Sequence, residues 1–343
     1  MPKPLQRLPR ISPDIINDLP NPHWTVPGSS LNIFALECST DAPGAIADIL
    51  FNFQNMTDST HSMEGKTCLV TGASAGIGKA TALGLAQMGA SVVLVCRDPG
   101  RGQAALEQIQ RHSGNSRISL LLADLSSQTS IRRLAAEFEA AHPALHILVN
   151  NAGIIPKKRT CTEDGLETQF AVNHLAYFLL THLLLDRLRT SAPARIVNVS
   201  SQAHRRRVAI DFDDLQSTRS YYRSRVYART KLANILFTYE LARRLEGTQV
   251  VANCLHPGVI ATNLLGDYAG MPRILRFFTR LFGASPERGA RTSLYLATAP
   301  QIEGISGQYF IDGKAVPSAS ASYDERAAQR LWQISTELCG LEE

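Results

Sequence analysis

The sequence predicts a single doubly wound α/β domain with a seven-stranded parallel sheet, preceded by an N-terminal extension. From Lys66 onward, short apolar runs alternate with longer helical patterns. The apolar runs lack the alternation of a half-exposed strand, which indicates strands covered by helices on both faces. Right-handed crossovers between such strands produce a doubly wound sheet. The predicted strands cover residues 67–71, 91–96, 118–123, 146–150, 195–199, 250–255 and 308–311.

The composition is typical of a globular protein that needs no disulfide or metal to fold. The chain has 343 residues, of which 44% are hydrophobic and 19% are charged. Its six cysteines lie far apart without a C-x-x-C pair, so we expect no metal site and a reducing, cytoplasmic location. A net charge of +5 spread along the chain does not indicate nucleic-acid binding. Apolar runs are too short for a membrane-spanning helix, and we expect no signal peptide.

Residues 1–62 differ from the predicted catalytic domain, residues 63–343. They contain 8 of the 17 prolines, and 6 acidic against 3 basic residues. Two interpretations stay open: an irregular arm that packs on the domain or on a partner, or a region upstream of a natural start at Met63. We assign no chemistry to this extension.

Three predicted helices and a glycine-rich turn organise the domain. The helices cover residues 79–88, 164–188 and 227–245. The turn joins the first strand to the first helix, where glycines allow close backbone approach to a pyrophosphate and the helix N-terminus attracts the anion. Ala73 and Ala80 stand where a P-loop needs glycine and a hydroxyl residue, which excludes that type of nucleotide site. A tight turn without a ligand is the remaining alternative.

The end of the second strand predicts the cofactor preference. NAD sites place a carboxylate there, against the ribose hydroxyls. Here Cys96 occupies that place and Arg97 follows, and a guanidinium suits a 2′-phosphate. We therefore favour NADP(H) over NAD(H), with Lys79 adding positive charge nearby. Asp98 stays open as a ribose ligand if the register shifts by one residue.

Tyr227 and Lys231 form the predicted centre of the chemistry. Their i, i+4 spacing places both side chains on one face of a helix. A nearby ammonium favours the phenolate and lowers the pKa of a tyrosine, which makes it a usable acid and base. Ser200 and Ser201 end the fifth predicted strand, and the carboxyl ends of such strands line the ligand crevice.

Five motifs occur in the order of the short-chain dehydrogenase/reductase family, and the chain resembles that family over about residues 66–315. They are T-G-x-x-x-G-I-G, N-N-A-G, N-V-S-S, Y-x-x-x-K and P-G. The resemblance implies a Rossmann domain and an alcohol dehydrogenase or carbonyl reductase activity, EC 1.1.1.-. It implies catalytic roles for Ser201 as hydrogen-bond donor, Tyr227 as acid and base, Lys231 as its partner, and Asn173 as a structural and relay residue. The implied cofactor contacts are Gly72, Ser74, Gly76, Ile77, Gly78, Arg97, Asp124, Leu125, Asn151, Ala152, Gly153, Tyr227, Lys231, Pro257, Gly258 and Thr262.

The chain is similar in pattern to the retinol dehydrogenase-like branch. Ser201 and Tyr227 are 26 residues apart, longer than in many family members. This insert and the Cys-Arg-Asp turn are similar to those of retinol dehydrogenases and NADP-dependent carbonyl reductases. We expect a small apolar carbonyl or alcohol as substrate, such as a retinal-like or lipid aldehyde, and the family implies a homodimer. A non-catalytic NADP(H)-binding sensor or scaffold is the alternative, against which the intact Ser201, Tyr227 and Lys231 set argues.

Two further segments carry predictions. Residues 273–282 alternate apolar and arginine side chains, so a substrate lid, peripheral membrane contact and ordinary packing all stay open. Residues 204–207 read His-Arg-Arg-Arg and predict a solvated loop, with a basic mouth for anions as the alternative. We interpret His174 and His256 as scaffold residues.

Overall fold

The strands of the sheet follow the apolar runs of the sequence. A computed structural model describes residues 62–206, 208–258 and 285–342. The strands are β1 (Thr67–Thr71), β2 (Ser91–Cys96), β3 (Ile118–Leu122), β4 (Ile147–Asn150), β5 (Ala194–Val199), β6 (Val250–His256), β7 (Tyr309–Ile311) and β8 (Lys314–Ala315). The first seven pair in parallel in the order β3-β2-β1-β4-β5-β6-β7, which confirms a doubly wound Rossmann domain. The order reverses between β1 and β4, and ligands of such sheets bind at that point.

The eighth strand departs from the predicted seven-stranded parallel sheet. β8 pairs antiparallel with the end of β7, so the sheet has eight strands and one antiparallel edge. Asp312 and Gly313, with φ angles of 49° and 73°, turn the chain back on itself after β7. A strand of two exposed residues carries too little pattern to be predicted from sequence.

Helices cover both faces of the sheet. They are α1 (Gly76–Gln87), α2 (Pro99–Ser113), α3 (Gln128–Ala141), α4 (Thr168–Phe170), α5 (Ala176–Leu183), α6 (Leu185–Thr190), α7 (Arg223–Arg244), α8 (Pro286–Thr298) and α9 (Glu325–Leu338). α1, α2 and α8 pack on one face, and α3, α5, α7 and α9 contribute to the core on the other. In β1, Leu69 packs in the core on one face of the sheet and Val70 packs in the core on the other. Because both faces are buried, the strand sequences are continuously apolar. Within the described ranges, no helix combines the length and apolar character needed to cross a membrane.

The predicted continuous helix 164–188 is wrong. Gly165, at a φ of 74°, lies in a turn, and the carboxylate of Glu167 accepts hydrogen bonds from the N–H groups of Gln169 and Phe170 (2.8 and 2.7 Å) to begin α4. A π-helical turn, Ala171–Leu175, then separates α4 from α5. The apolar spacing continues through this turn, so the sequence pattern does not mark it. π-turns inside helices often occur at functional positions, and this one carries Asn173.

Candidate active site

The glycine-rich turn after β1 requires glycine for conformation and for space. Gly72 and Gly76 have φ angles of 68° and 58°, in the left-handed region that other residues rarely adopt. A Cβ atom on Gly78 would overlap the amide of Asn151 and lie 2.5 Å from the Gly72 carbonyl oxygen. The turn is therefore packed directly against the N-N-A-G segment that follows β4. Ser74 and Ile77 are half-buried within the same turn.

The N-terminus of α1 differs from those of four other helices. Side chains cap α2, α3, α8 and α9, and they belong to Asp98, Ser127, Ser285 and Asp324. At α1 the capping position is Ala75, no side chain bonds to the first N–H groups, and the first turn contains no acidic residue. Such N–H groups suit an anionic ligand, so the residues present fit the pyrophosphate of a dinucleotide.

Thr71, the last residue of β1, joins the turn to β4. Its hydroxyl oxygen accepts hydrogen bonds from the backbone N–H groups of Asn151 (2.9 Å) and Ala152 (3.1 Å). The Asn151 side-chain amide donates to the Thr71 carbonyl oxygen at 2.8 Å. Asn151 therefore hydrogen-bonds to the glycine-rich turn as well as lying beside it.

The residues beside the predicted ribose site divide into buried, capping and exposed groups. Cys96 is buried, whereas Arg97 is exposed. The Asp98 carboxylate accepts from the Arg101 N–H at 2.7 Å and caps α2. Lys79 donates to the side chain of Gln108 on α2. Arg97 is therefore the exposed charged side chain beside this site that does not cap a helix.

Asp124 follows β3 at the predicted adenine side of the site. One oxygen of its carboxylate accepts from both the N–H (2.9 Å) and the hydroxyl (2.7 Å) of Ser126. Its own N–H donates to the hydroxyl of Ser130 at 3.0 Å. These bonds fix the loop after β3, in which Leu125 is half-buried.

Lys231 is buried among aromatic rings and backbone carbonyls. Its Nζ atom donates to the Val199 carbonyl oxygen at 2.8 Å and lies 5.7 Å from the ring centroid of Tyr227 and 5.6 Å from that of Tyr177. Burial lowers the pKa of Lys231 to about 7, since the charged form loses its hydration. Distances of this size allow cation–π attraction, which offsets part of that cost.

Tyr177 is a site residue that the sequence reasoning missed. It is buried on α5, and its hydroxyl donates to the Ala152 carbonyl oxygen at 2.8 Å. It therefore touches both the N-N-A-G segment and the surroundings of Lys231. The sequence could have indicated Tyr177, because it lies four residues after Asn173 and residues at i and i+4 share a helix face.

The two serines after β5 have different surroundings. Ser200 is buried, and its hydroxyl donates to the Lys231 carbonyl oxygen at 2.7 Å. Ser201 is half-buried, and its hydroxyl oxygen accepts from the Ala203 N–H at 3.2 Å. Among the described residues, the Ser201 hydroxyl has no acceptor for its proton, whereas that of Ser200 is used within the fold.

Asn173 ties three segments together from within the π-turn. Its side-chain oxygen accepts from the Ile154 N–H at 2.8 Å, and its amide donates to the Ile154 carbonyl oxygen (3.0 Å) and the Thr230 hydroxyl (3.2 Å). Thr230 in turn donates to the Tyr227 carbonyl oxygen at 2.9 Å. Asn173 therefore positions α7 against the chain after β4. Its relay role stays a prediction.

Comparison with known proteins decides the family. The model of the short chain dehydrogenase family matches residues 66–271. The chain belongs to the short-chain dehydrogenase family. Human retinol dehydrogenase 14 is 46% identical over 296 residues, covering 81% of this chain and 88% of that protein. Human retinol dehydrogenase 12 is 45% identical over 279 residues, covering 81% and 88%.

Solved structures of other proteins share the fold. An uncharacterized protein from Mycobacterium paratuberculosis has a TM-score of 0.67 and 32% identity, covering 83% of this chain and 97% of that one. The Pseudomonas aeruginosa RhlG/NADP active-site complex has a TM-score of 0.59 and 29% identity, covering 74% and 97%. These matches confirm the predicted family and enzyme class: the chain is a retinol dehydrogenase-like oxidoreductase of EC 1.1.1.-, in a family that uses NAD(H) or NADP(H).

In this short-chain dehydrogenase, the predicted solvated loop at residues 204–207 is wrong for His204. The His204 side chain is buried in a 3₁₀ helix, Gln202–Arg205, whereas Arg205 and Arg206 are exposed. The cause is tertiary, since the C-terminal part of the chain covers this turn. Arg207 lies outside the described residues.

The two other histidines beside family motifs are also buried. Burial lowers the pKa values of His174 and His256 to about 4, so both are neutral at pH 7. The Nε2 atom of His174 lies 3.0 Å from the Ser335 hydroxyl of α9. This burial suits the scaffold interpretation.

The remaining predicted contacts lie at the end of β6. Pro257 and Gly258 are half-buried, and Gly258 has a φ of 87°. Thr262, residues 273–282 and nearly all of the N-terminal extension lie outside the described residues, so predictions about them, including the domain boundary at residue 62, stay predictions.

Proposed function

We propose that this short-chain dehydrogenase is an NADP(H)-dependent reductase of hydrophobic aldehydes or ketones. The observation that carries the proposal is the position of the buried Lys231 amine beside the ring of Tyr227. The Lys231 carbonyl on the same helix accepts a hydrogen bond from Ser200, and half-buried Ser201 is the next residue in the chain. Similarity to retinol dehydrogenases supports an apolar substrate. Exposed Arg97 and the 29% identity to the RhlG/NADP complex support NADP(H).

The roles of the side chains follow from their chemistry. A bound nicotinamide supplies the hydride that reduces the carbonyl carbon. Ser201 donates a hydrogen bond to the carbonyl oxygen while negative charge develops there, an interaction worth about 3–4 kcal/mol in a dry site. Tyr227 then gives its hydroxyl proton to that oxygen, which completes the alcohol.

Lys231 supports Tyr227 electrostatically. A cation near a phenol stabilises the phenolate that remains after proton transfer. Burial works against that cation, because it lowers the pKa of Lys231 to about 7. The Val199 carbonyl and the Tyr177 and Tyr227 rings favour the charged form, so the surroundings of Lys231 are part of the acid–base system.

A panel of carbonyl compounds tests the reaction directly. Purified protein with NADPH should reduce apolar aldehydes or ketones faster than short polar ones, as measured by loss of NADPH absorbance. NADPH binding without reduction of any aldehyde or ketone in the panel would contradict the proposal and favour the sensor or scaffold alternative.

Arg97→Ala tests the cofactor preference. Charge-assisted hydrogen bonds to a phosphate are worth about 1.5–3 kcal/mol. The ratio of kcat/KM for NADPH over NADH should therefore fall by about 10- to 100-fold. Arg111→Ala is the matched control, because Arg111 is an exposed arginine in the last turn of α2. An unchanged ratio in Arg97→Ala would show that the preference arises elsewhere.

A further inference from the structure

His204 connects the Ser201 segment to the C-terminal part of the chain. It lies three residues after Ser201, and its side chain is buried, with 1% exposure of the residue. Its Nδ1 atom is 2.6 Å from the Ser201 carbonyl oxygen, and its Nε2 atom accepts from the Ala319 N–H at 3.1 Å. We call this pair of hydrogen bonds the His204 bridge.

The two partners determine the protonation state of the ring. The Ala319 N–H can only donate, so Nε2 must carry a lone pair. The Ser201 carbonyl oxygen can only accept, so Nδ1 must carry the proton. Both bonds therefore form only in the neutral Nδ1–H tautomer. The ring of Tyr309 packs edge-on against the imidazole, with 4.9 Å between centroids, and limits its rotation.

The far end of the bridge is itself anchored to α7. Ser318, the residue before Ala319, bonds through its hydroxyl to the Tyr239 hydroxyl of α7 at 2.8 Å. The Ser318 N–H donates to the Tyr323 hydroxyl at 3.0 Å. α7 also carries Tyr227. The bridge thus links the main chain of Ser201 to the helix that holds the proposed proton donor.

We propose that His204 is a positioning residue that holds the Ser201 hydroxyl in register with Tyr227 through the His204 bridge. The inference rests on the proposed function, because it assigns Ser201 a hydrogen bond to the substrate. A shift of the Ser201 main chain would misplace a donor whose benefit depends on its distance to the developing oxyanion.

The bridge makes this positioning sensitive to acid. Protonation would place an N–H on Nε2 opposite the Ala319 N–H and break that bond. The groups facing the ring are Arg205 on its own helix, His256 at the end of β6 and Tyr309 on β7. Tyr239 and Tyr323 bond Ser318 behind it.

Burial is the main cause that lowers the pKa of His204; the Ser201 carbonyl raises it, and Arg205 lowers it further. The fold therefore favours the neutral ring. The bridge is present above the ordinary histidine pKa of about 6.5 and is lost as the pH falls through the lower pKa of the folded state.

Two variants remove the Ala319 bond from opposite sides. His204→Asn keeps an amide donor for the Ser201 carbonyl but loses the acceptor at Nε2. Ala319→Pro replaces the N–H with a ring carbon that cannot donate to Nε2, and the native φ of −69° suits proline. Each variant should lower kcat about tenfold, the equivalent of one hydrogen bond, with little change in KM for NADPH.

The pH profile separates positioning from simple destabilisation. Wild-type kcat should fall in acid as the pH passes through the pKa of folded His204, which lies below the ordinary histidine pKa of about 6.5. That acid limb should be absent in His204→Asn, because an amide does not titrate, and in Ala319→Pro, because the bond that protonation would break is already lost. His112→Asn is the control, since the exposed His112 ring also lies 2.6 Å from a backbone carbonyl, that of Gln108. An acid limb that is unchanged in both test variants would overturn the positioning role.

Histidine ¹⁵N NMR tests the bridge without any substrate. The His204 signal, identified by its loss in His204→Asn, should show the Nδ1–H tautomer at pH 7. An Nε2–H or doubly protonated ring would overturn the inference even if the protein reduces carbonyls. A protein that shows the Nδ1–H tautomer and reduces no carbonyl would refute the proposed function and, with it, the positioning role, while the bridge itself would stand.

Discussion

Tyr227→Phe should lower kcat for carbonyl reduction by about 1,000-fold, within the range of general acid catalysis. The substitution removes the hydroxyl whose proton the product oxygen needs. It keeps the ring, whose centroid lies 5.7 Å from the Lys231 amine, so the packing of the site and the affinity for NADPH should change little. Steady-state kinetics with the best substrate of the panel and calorimetric titration with NADPH measure the two quantities.

Tyr222→Phe is the matched control for this result. Tyr222 lies just before α7 with 65% exposure, and its ring packs against the Arg225 guanidinium rather than against Lys231. Removal of the Tyr222 hydroxyl should leave kcat unchanged. Turnover retained in Tyr227→Phe would show that another group supplies the proton.

Gly78→Ala should weaken NADPH binding by about 100-fold. The new methyl group would collide with the Asn151 amide and the Gly72 carbonyl, and backbone cannot move aside as a side chain can. Overpacking of this kind costs about 1–3 kcal/mol, and each 1.4 kcal/mol corresponds to a tenfold change in affinity. To relieve the collision, the glycine-rich turn must move away from Asn151, so both NADPH affinity and thermal stability should fall.

Gly84→Ala on the same helix separates this collision from a general effect of alanine. At position 84 the three atoms nearest the methyl group would be side-chain carbons of Leu294, and the end of a flexible side chain yields more easily than backbone. Alanine also favours the helix over glycine by about 1 kcal/mol. NADPH titration and thermal unfolding should show near-normal values for Gly84→Ala. Equal affinity in the two variants would mean that the turn tolerates a Cβ at Gly78.

Local patterns predicted most of the fold and the position of the site. The continuous apolar runs predicted seven parallel strands because each strand, such as β1 with Leu69 and Val70, enters a core on both faces. The helical repeat alone was enough to predict that Tyr227 and Lys231 lie on one face of a helix. The placement of Ser200 and Ser201 after β5 followed from the rule that the carboxyl ends of strands meet at the ligand crevice.

Contacts between distant segments could not be predicted in this way. The π-turn at Asn173 leaves the apolar spacing unchanged, while its amide bonds to Ile154 and Thr230 depend on how three segments meet. Tyr177 looks like an ordinary core residue until α5 brings its hydroxyl to Ala152. A two-residue edge strand such as β8 is shorter than any detectable repeat.

The sequence by itself determined the strands of the sheet, the glycine-rich turn and the shared helix face of Tyr227 and Lys231, because each depends on residues only a few positions apart. The tertiary structure alone decided that Lys231 is buried beside two tyrosine rings and that the buried His204 ring accepts a hydrogen bond from the Ala319 N–H. His204 and Ala319 are 115 residues apart in the chain. Their contact is decided by the packing of the C-terminal segment on the sheet, and no local spacing encodes it.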